Sequence, residues 1–199
     1  MVTRQIEFFF DFGSPTAYLA YTQLPRLAAD SRAEIVWRPM LLGGVFKATG
    51  NASPVAVPAK RRWMLGDLQR YAQRYGVPFV MNPYFPTNTL TLMRGAAGYQ
   101  IRRPDVFADY VEVVFRAMWV TSCNLDDSAE LAKTIAGAGL DVSEFVTMIG
   151  ATEIKDALAA TTAEAVARGV FGAPTFFVGD QMFFGQDRLD FVRAALVKG

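Results

Sequence analysis

Residues 5–11 read Gln-Ile-Glu-Phe-Phe-Phe-Asp, a short apolar run rich in strand-forming side chains. A run of this length and composition predicts a buried strand. From residue 15 to residue 30 the apolar positions change to helical spacing at Tyr18, Leu19, Leu24 and Leu27, with Pro25 expected to kink or divide the helix. Residues 34–38, carrying Ile35, Val36 and Trp37, predict a second strand. Residues 41–58 hold Gly, Pro and Ser and read as loop, with room for one helical turn. Residues 59–75 return to helix and stop at Gly76-Val77-Pro78. Amphipathic helices follow over 88–100, 104–118, 128–137, 143–150 and 152–168. Strands over 174–178 and 181–184 flank Gly179-Asp180, a two-residue hairpin turn, and a helix over 188–197 closes the chain. This order predicts an α/β domain made of residues 1–46 and 161–199, interrupted by an all-helical insertion over 47–160.

The strand-to-helix turn carries the most informative chemistry. It reads Phe10-Asp11-Phe12-Gly13-Ser14-Pro15-Thr16-Ala17-Tyr18, and far downstream stands Gly172-Ala173-Pro174-Thr175-Phe176-Phe177. A strand running into a helix near the start, with a Pro-Thr-Phe strand near the end, points to a thioredoxin-like fold. Redox members of that fold carry Cys-x-x-Cys at this turn. Here the stretch is Ser14-Pro15-Thr16-Ala17. Dithiol exchange cannot be built from it, so any thiol must come from outside the protein.

Composition narrows the chemistry further. The 199 residues are 52% apolar and 20% charged with a net charge of +1, which gives no global field toward nucleic acid or an acidic membrane. Residues 1–6 run straight into the first strand without a leader pattern, and the single cysteine, Cys123, fits a reducing cytoplasm. The chain has no histidine, which removes the usual neutral-pH base, the usual zinc ligand and every Ser-His or Cys-His arrangement. No protein-only metal site is expected, and a bound cofactor is the simplest source of reactivity.

Each candidate residue has a structural reading beside its functional one. Ser14 before Pro15 is a strong helix start, and the same helix N-terminus stabilises an anion such as a thiolate. Pro174 is either a strand-start proline or a cis-proline that turns the Ala173 backbone toward a ligand. Asp187 is expected to cap the last helix, and could also receive an ammonium group. Lys60, with Arg61 and Arg62, places cations where the macrodipole opposes them; an anionic ligand, Asp67 or solvent would answer that. The aromatic residues Trp63, Tyr84, Phe85, Phe115 and Trp119 either fill the core or line a pocket for a flat substrate. Cys123 reads as incidental packing.

Taken in order, several segments resemble the 2-hydroxychromene-2-carboxylate isomerase family, relatives of the kappa-class glutathione transferases within the DsbA-like group. The markers are the 10–20 stretch, Thr49-Gly50-Asn51, and Lys60 and Trp63 before Asp67-Leu68-Gln69-Arg70-Tyr71-Ala72. Val170-Phe171-Gly172-Ala173-Pro174-Thr175-Phe176-Phe177 and Phe184-Gly185-Gln186-Asp187-Arg188-Leu189 complete them. The resemblance implies a cytoplasmic, homodimeric, glutathione-dependent isomerase of a small aromatic carboxylate in naphthalene-type catabolism. It implies that Ser14 hydrogen-bonds the glutathione thiolate, that Ala173 beside cis-Pro174 pairs with the tripeptide backbone, and that Gln186 and Asp187 hold its γ-glutamyl end. Asn51 and Lys60 would reach its other polar groups, while Tyr84, Phe85, Asn88 and Trp119 would border the substrate. Two other readings stay open: a kappa-type transferase or peroxidase, and a non-catalytic thioredoxin-like module that binds peptides.

Overall fold

The computed structural model describes residues 4–198; residues 1–3, expected to lead straight into the first strand, lie outside the described residues, as does residue 199. β1 (Arg4–Phe10) leads through a tight turn into α1 (Pro15–Ser31), then β2 (Ala33–Pro39) and α2 (Leu42–Thr49). A 3-10 turn at Pro54–Ala56 precedes α3 (Pro58–Tyr75). Five more helices follow: α4 (Leu90–Arg102), α5 (Phe107–Trp119), α6 (Ser128–Gly137), α7 (Val142–Gly150) and α8 (Thr152–Ala167). The hairpin β3 (Thr175–Val178) and β4 (Gln181–Phe184), a 3-10 turn at Gln186–Arg188 and α9 (Leu189–Lys198) complete the described chain.

The sheet order is β2-β1-β3-β4, with β1 parallel to β2 and antiparallel to β3. β1 is therefore central, and alternate side chains of its C-terminal half enter two cores, which is why Phe8-Phe9-Phe10 is an unbroken apolar run. On one face Ile6, Phe8 and Phe10 join the main core, where Phe8 stacks on Phe176 and meets Trp37 edge-on. That core is continuous from the sheet through α1 and into α4, α5 and α7. On the other face Phe9 packs with Met40, Val45, Ala165, Val170, Ala173 and Phe177, a smaller core roofed by α2 and α8. All four strands lie outside residues 47–160, and every helix from α3 to α7 begins and ends inside that range. The result is the expected α/β, thioredoxin-like arrangement with a helical block inserted in it.

Three local expectations are corrected. Residues 42–49 form a full helix, α2, where a loop with a single turn was expected. Its N-cap, Leu41, has no side-chain cap bond, and the capping group arrives from Asp11, thirty-one residues upstream, so no local signal announces it. Pro25 does not divide α1, which runs unbroken past it. Pro25 lies on the exposed side, where water can satisfy the carbonyl that its missing N–H leaves free. Asp187 does not cap the last helix. It sits inside the 3-10 turn, and its carboxylate pairs with Arg188 Nη1 at 2.7 Å.

Candidate functional site

The turn between β1 and α1 is held from three directions. The Asp11 side chain is wholly buried and accepts the Gly13 N–H at 2.8 Å and the Leu42 N–H at 2.7 Å. Burial pushes its carboxyl above the usual range, and these donors pull it part of the way back. One carboxylate thus fixes the turn and supplies the missing charge at the N-terminus of α2. The Phe12 N–H points at Met93 Sδ (3.4 Å), and its carbonyl accepts the Trp119 indole N–H at 2.8 Å. Gly13 sits in a close approach: a Cβ there would lie 3.0 Å from Thr89 Cγ2, so the Thr89 side chain would have to give way. The inserted helices α4 and α5, with α2, therefore clamp the loop that presents Ser14.

Ser14 caps α1 as expected, its hydroxyl accepting the Ala17 N–H at 3.1 Å, with Pro15 at the first helical position. Its Oγ also lies 2.9 Å from the Ala173 carbonyl, and the Ala173–Pro174 peptide bond is cis. The fold has brought residues 159 positions apart into hydrogen-bond contact. Thr16 completes the cluster, with Oγ1 2.9 Å from Ser14 Oγ and 3.1 Å from the Ala173 carbonyl. That carbonyl faces two hydroxyls of α1, whereas the Ala173 N–H has no acceptor among the described residues. No acidic residue occupies the first turn of α1.

Around this centre the remaining candidates divide. Gln186 is buried next to the site, and its carbonyl accepts the Tyr75 hydroxyl at 2.9 Å. Gly185 before it has a φ of 104°, a conformation that favours glycine, and its N–H meets the Pro174 carbonyl at 3.0 Å. Asn51 donates its side-chain amide to the Phe171 carbonyl at 2.8 Å, tying the loop after α2 to the segment that carries Ala173. Lys60 is exposed in the first turn of α3 and has no anionic partner among the described residues. Asp67, considered for that role, faces Arg70 instead at 3.7 Å.

The aromatic set is mostly core. Trp119 is a correction: it is fully buried, stacks on Phe79, and spends its indole N–H on Phe12, so no face of it is open to a ligand. Phe115 is buried as well, and Phe85 lies half-buried against Trp119. Trp63 is 65% exposed on α3. Tyr84 is exposed and borders a concavity of about 490 Å³ with Arg116, Cys123 and Lys133, whereas Asn88 is exposed and caps the chain locally by accepting the Leu90 N–H. Ser14 lines neither that concavity nor one of about 580 Å³ between α2, α4 and α8. Cys123 is partly buried, and its Sγ lies 3.4 Å from the Thr121 hydroxyl. Sequence reasoning missed Asp11, Thr16 and Thr89. For Asp11 a signal existed, since an acid inside an apolar run is buried and must find donors.

Fold and site together define a thioredoxin-like protein whose strand-to-helix turn carries a serine and no cysteine. The chain belongs to the DsbA-like thioredoxin domain family, whose model matches residues 5–197. Among curated proteins it is similar to the 2-hydroxychromene-2-carboxylate isomerase of Sphingobium xenophagum, 33% identical over 98% of this chain and 100% of that protein. It is similar also to the isomerase of that name from Pseudomonas putida, 34% identical over 96% and 93%. A solved 2-hydroxychromene-2-carboxylate isomerase superposes with a TM-score of 0.86 at 33% identity, covering 98% of this chain and 95% of that one. The glutathione S-transferase kappa 1 of Rattus norvegicus is a more distant relative, 26% identical over 94% of this chain and 88% of that protein. The chain is thus an enzyme of the isomerase type, with kappa-class transferases as relatives. Among the described residues no helix is long and apolar enough to cross a membrane, and no group of His, Cys, Asp and Glu could hold a metal ion.

Proposed function

We propose that this enzyme binds glutathione at the N-terminus of α1 and uses it to interconvert 2-hydroxychromene-2-carboxylate and trans-o-hydroxybenzylidenepyruvate. One observation carries the reading: the Ser14 hydroxyl, buried at a helix N-terminus against Ala173 and cis-Pro174, stands where a redox relative would carry its sulfur. The donor set fits an anionic tripeptide thiol. Ser14 offers a hydroxyl inside the positive field of α1, Ala173 offers an N–H without an internal acceptor, and Lys60 offers an ammonium without an internal anion. Gln186 and Asp187, in the 3-10 turn after the hairpin, are assigned to the γ-glutamyl end. Bound there, glutathione would supply a thiolate nucleophile for reversible addition to the conjugated side chain, returned as the same thiolate on elimination.

The chain's own part is to hold that sulfur ionised and in place. The Ser14 O–H donates to it, and the field of α1 lowers its pKa. Ser14 has no base to make it a nucleophile, since the chain has no histidine. The peptide-module alternative is disfavoured by the joint retention of Ser14, Lys60 and Asp187, which a groove pairing only with a peptide backbone does not need. The kappa-type alternative rests on the relatives at 24–28% identity and shares the same serine site.

Mass balance separates these readings. Incubated with 2-hydroxychromene-2-carboxylate, the enzyme should require glutathione, leave the free-thiol count constant and produce an isomer of unchanged mass. A product heavier by one glutathione would replace the isomerase reading with a transferase one, and accumulating glutathione disulfide would indicate a peroxidase.

A further inference from the structure

The Ser14 hydroxyl has one hydrogen, and in this structure two oxygens compete for it. Ala173 O and Thr16 Oγ1 both lie 2.9 Å from Ser14 Oγ, and Thr16 Oγ1 lies 3.1 Å from the same Ala173 carbonyl. The three oxygens form a triangle holding two hydroxyl hydrogens. One hydrogen serves Ala173 and the other lies between the hydroxyls, since two oxygens at 2.9 Å need a hydrogen between them. If Ser14 turns its hydrogen toward a ligand, Ala173 keeps a donor only because Thr16 can swing onto it. Ser14 then still accepts the Ala17 N–H, and its oxygen and that of Thr16, left without a hydrogen between them, must move apart from 2.9 Å as Thr16 swings onto Ala173.

We infer that Thr16 is a positioning residue that releases Ser14 to the thiolate by taking over the Ala173 carbonyl. The inference rests on the glutathione reading of the site and goes beyond it, because it assigns the ionisation of the bound thiol partly to a residue that never touches it. Without the Thr16 hydroxyl, every hydrogen bond from Ser14 to sulfur strips the donor from a buried carbonyl, and the cost of that orphan appears as a raised thiol pKa. The charged groups on the elements assigned to the site are Asp11 in the turn, Lys60 on α3 and Asp187 before α9. They are identical in all the variants below, so they cancel in the comparison.

The test is a pH titration of thiolate absorbance for glutathione bound to the wild type, Thr16→Val, Thr16→Ala and Thr16→Ser, with binding measured by calorimetry. Valine keeps the branched shape, alanine guards against a packing artefact, and serine restores the hydroxyl. Thr16→Val and Thr16→Ala should raise the bound thiol's pKa by about one unit, a roughly tenfold change in its ionisation constant. Thr16→Ser should titrate like the wild type. A merely structural role for Thr16 would lower thermal stability without moving the titration. Glutathione bound by both variants with an unchanged curve overturns the inference while sparing the glutathione site. Failure of the wild type to bind glutathione overturns the reading of the site, and the inference with it.

Discussion

Replacing Asp11 by alanine should loosen the turn that presents Ser14 and cost the whole protein stability. The carboxylate is fully buried and receives the Gly13 and Leu42 N–H groups, so its removal orphans two backbone donors at once. An unsatisfied buried donor costs about 1–3 kcal/mol. Part of this returns, because the buried carboxylate no longer has to be desolvated and water can enter the space it leaves. A net loss of about 3 kcal/mol follows, and for a chain of this size that lowers Tm by roughly 6–12 °C. Thermal melts followed by circular dichroism measure it.

Acid adds a second, signed readout. Burial raises the native pKa of Asp11 above its ordinary value of 3.8, so the native state binds its proton more tightly than the unfolded chain does. That contribution is fully present below 3.8 and is lost as pH rises through the raised native value. The stability gap between wild type and Asp11→Ala should therefore widen on acidification. A Tm within about 2 °C of wild type at neutral pH, or a gap that narrows in acid, would refute the argument that this carboxylate is buried and holds the turn.

Ser14→Ala should raise the pKa of bound glutathione by about one to two units, since hydrogen bonds to charged groups contribute about 1.5–3 kcal/mol, while much of the affinity survives through Ala173, Lys60 and Asp187. An unchanged titration would leave Ser14 as a helix cap alone, whose loss costs about 1 kcal/mol of stability. Glu7 is gripped by Arg168 at 2.7 and 2.8 Å with Arg38 nearby, and the Arg168 bond holds its carboxyl below the ordinary 4.5. Its contribution is present above 4.5 and disappears as pH falls through the lowered native value, so Glu7→Gln should cost about 1 kcal/mol at pH 7 and little at pH 2 in urea melts. Equal costs at both pH values would count against that ion pair.

The sequence by itself determined whatever depends on neighbours along the chain. The Ile6 and Phe8-Phe9-Phe10 positions of β1, the 3.6-residue spacing of the helices, Gly179-Asp180 in the hairpin and Ser14-Pro15 at the start of α1 are local signals, and each element stands where its pattern put it. The absence of histidine and of a second cysteine likewise limited the chemistry before any geometry was known. What depended on distant partners was not legible. α2 has no cap of its own and exists as a helix with Asp11 at its N-terminus. Trp119 looked like a substrate-facing ring until folding set its indole against the Phe12 carbonyl. Thr16 had no visible role until Ala173, 157 residues away, arrived within hydrogen-bond distance. A hydrogen bond is decided over about 3 Å, and only the packed chain brings residues so far apart in sequence to that separation.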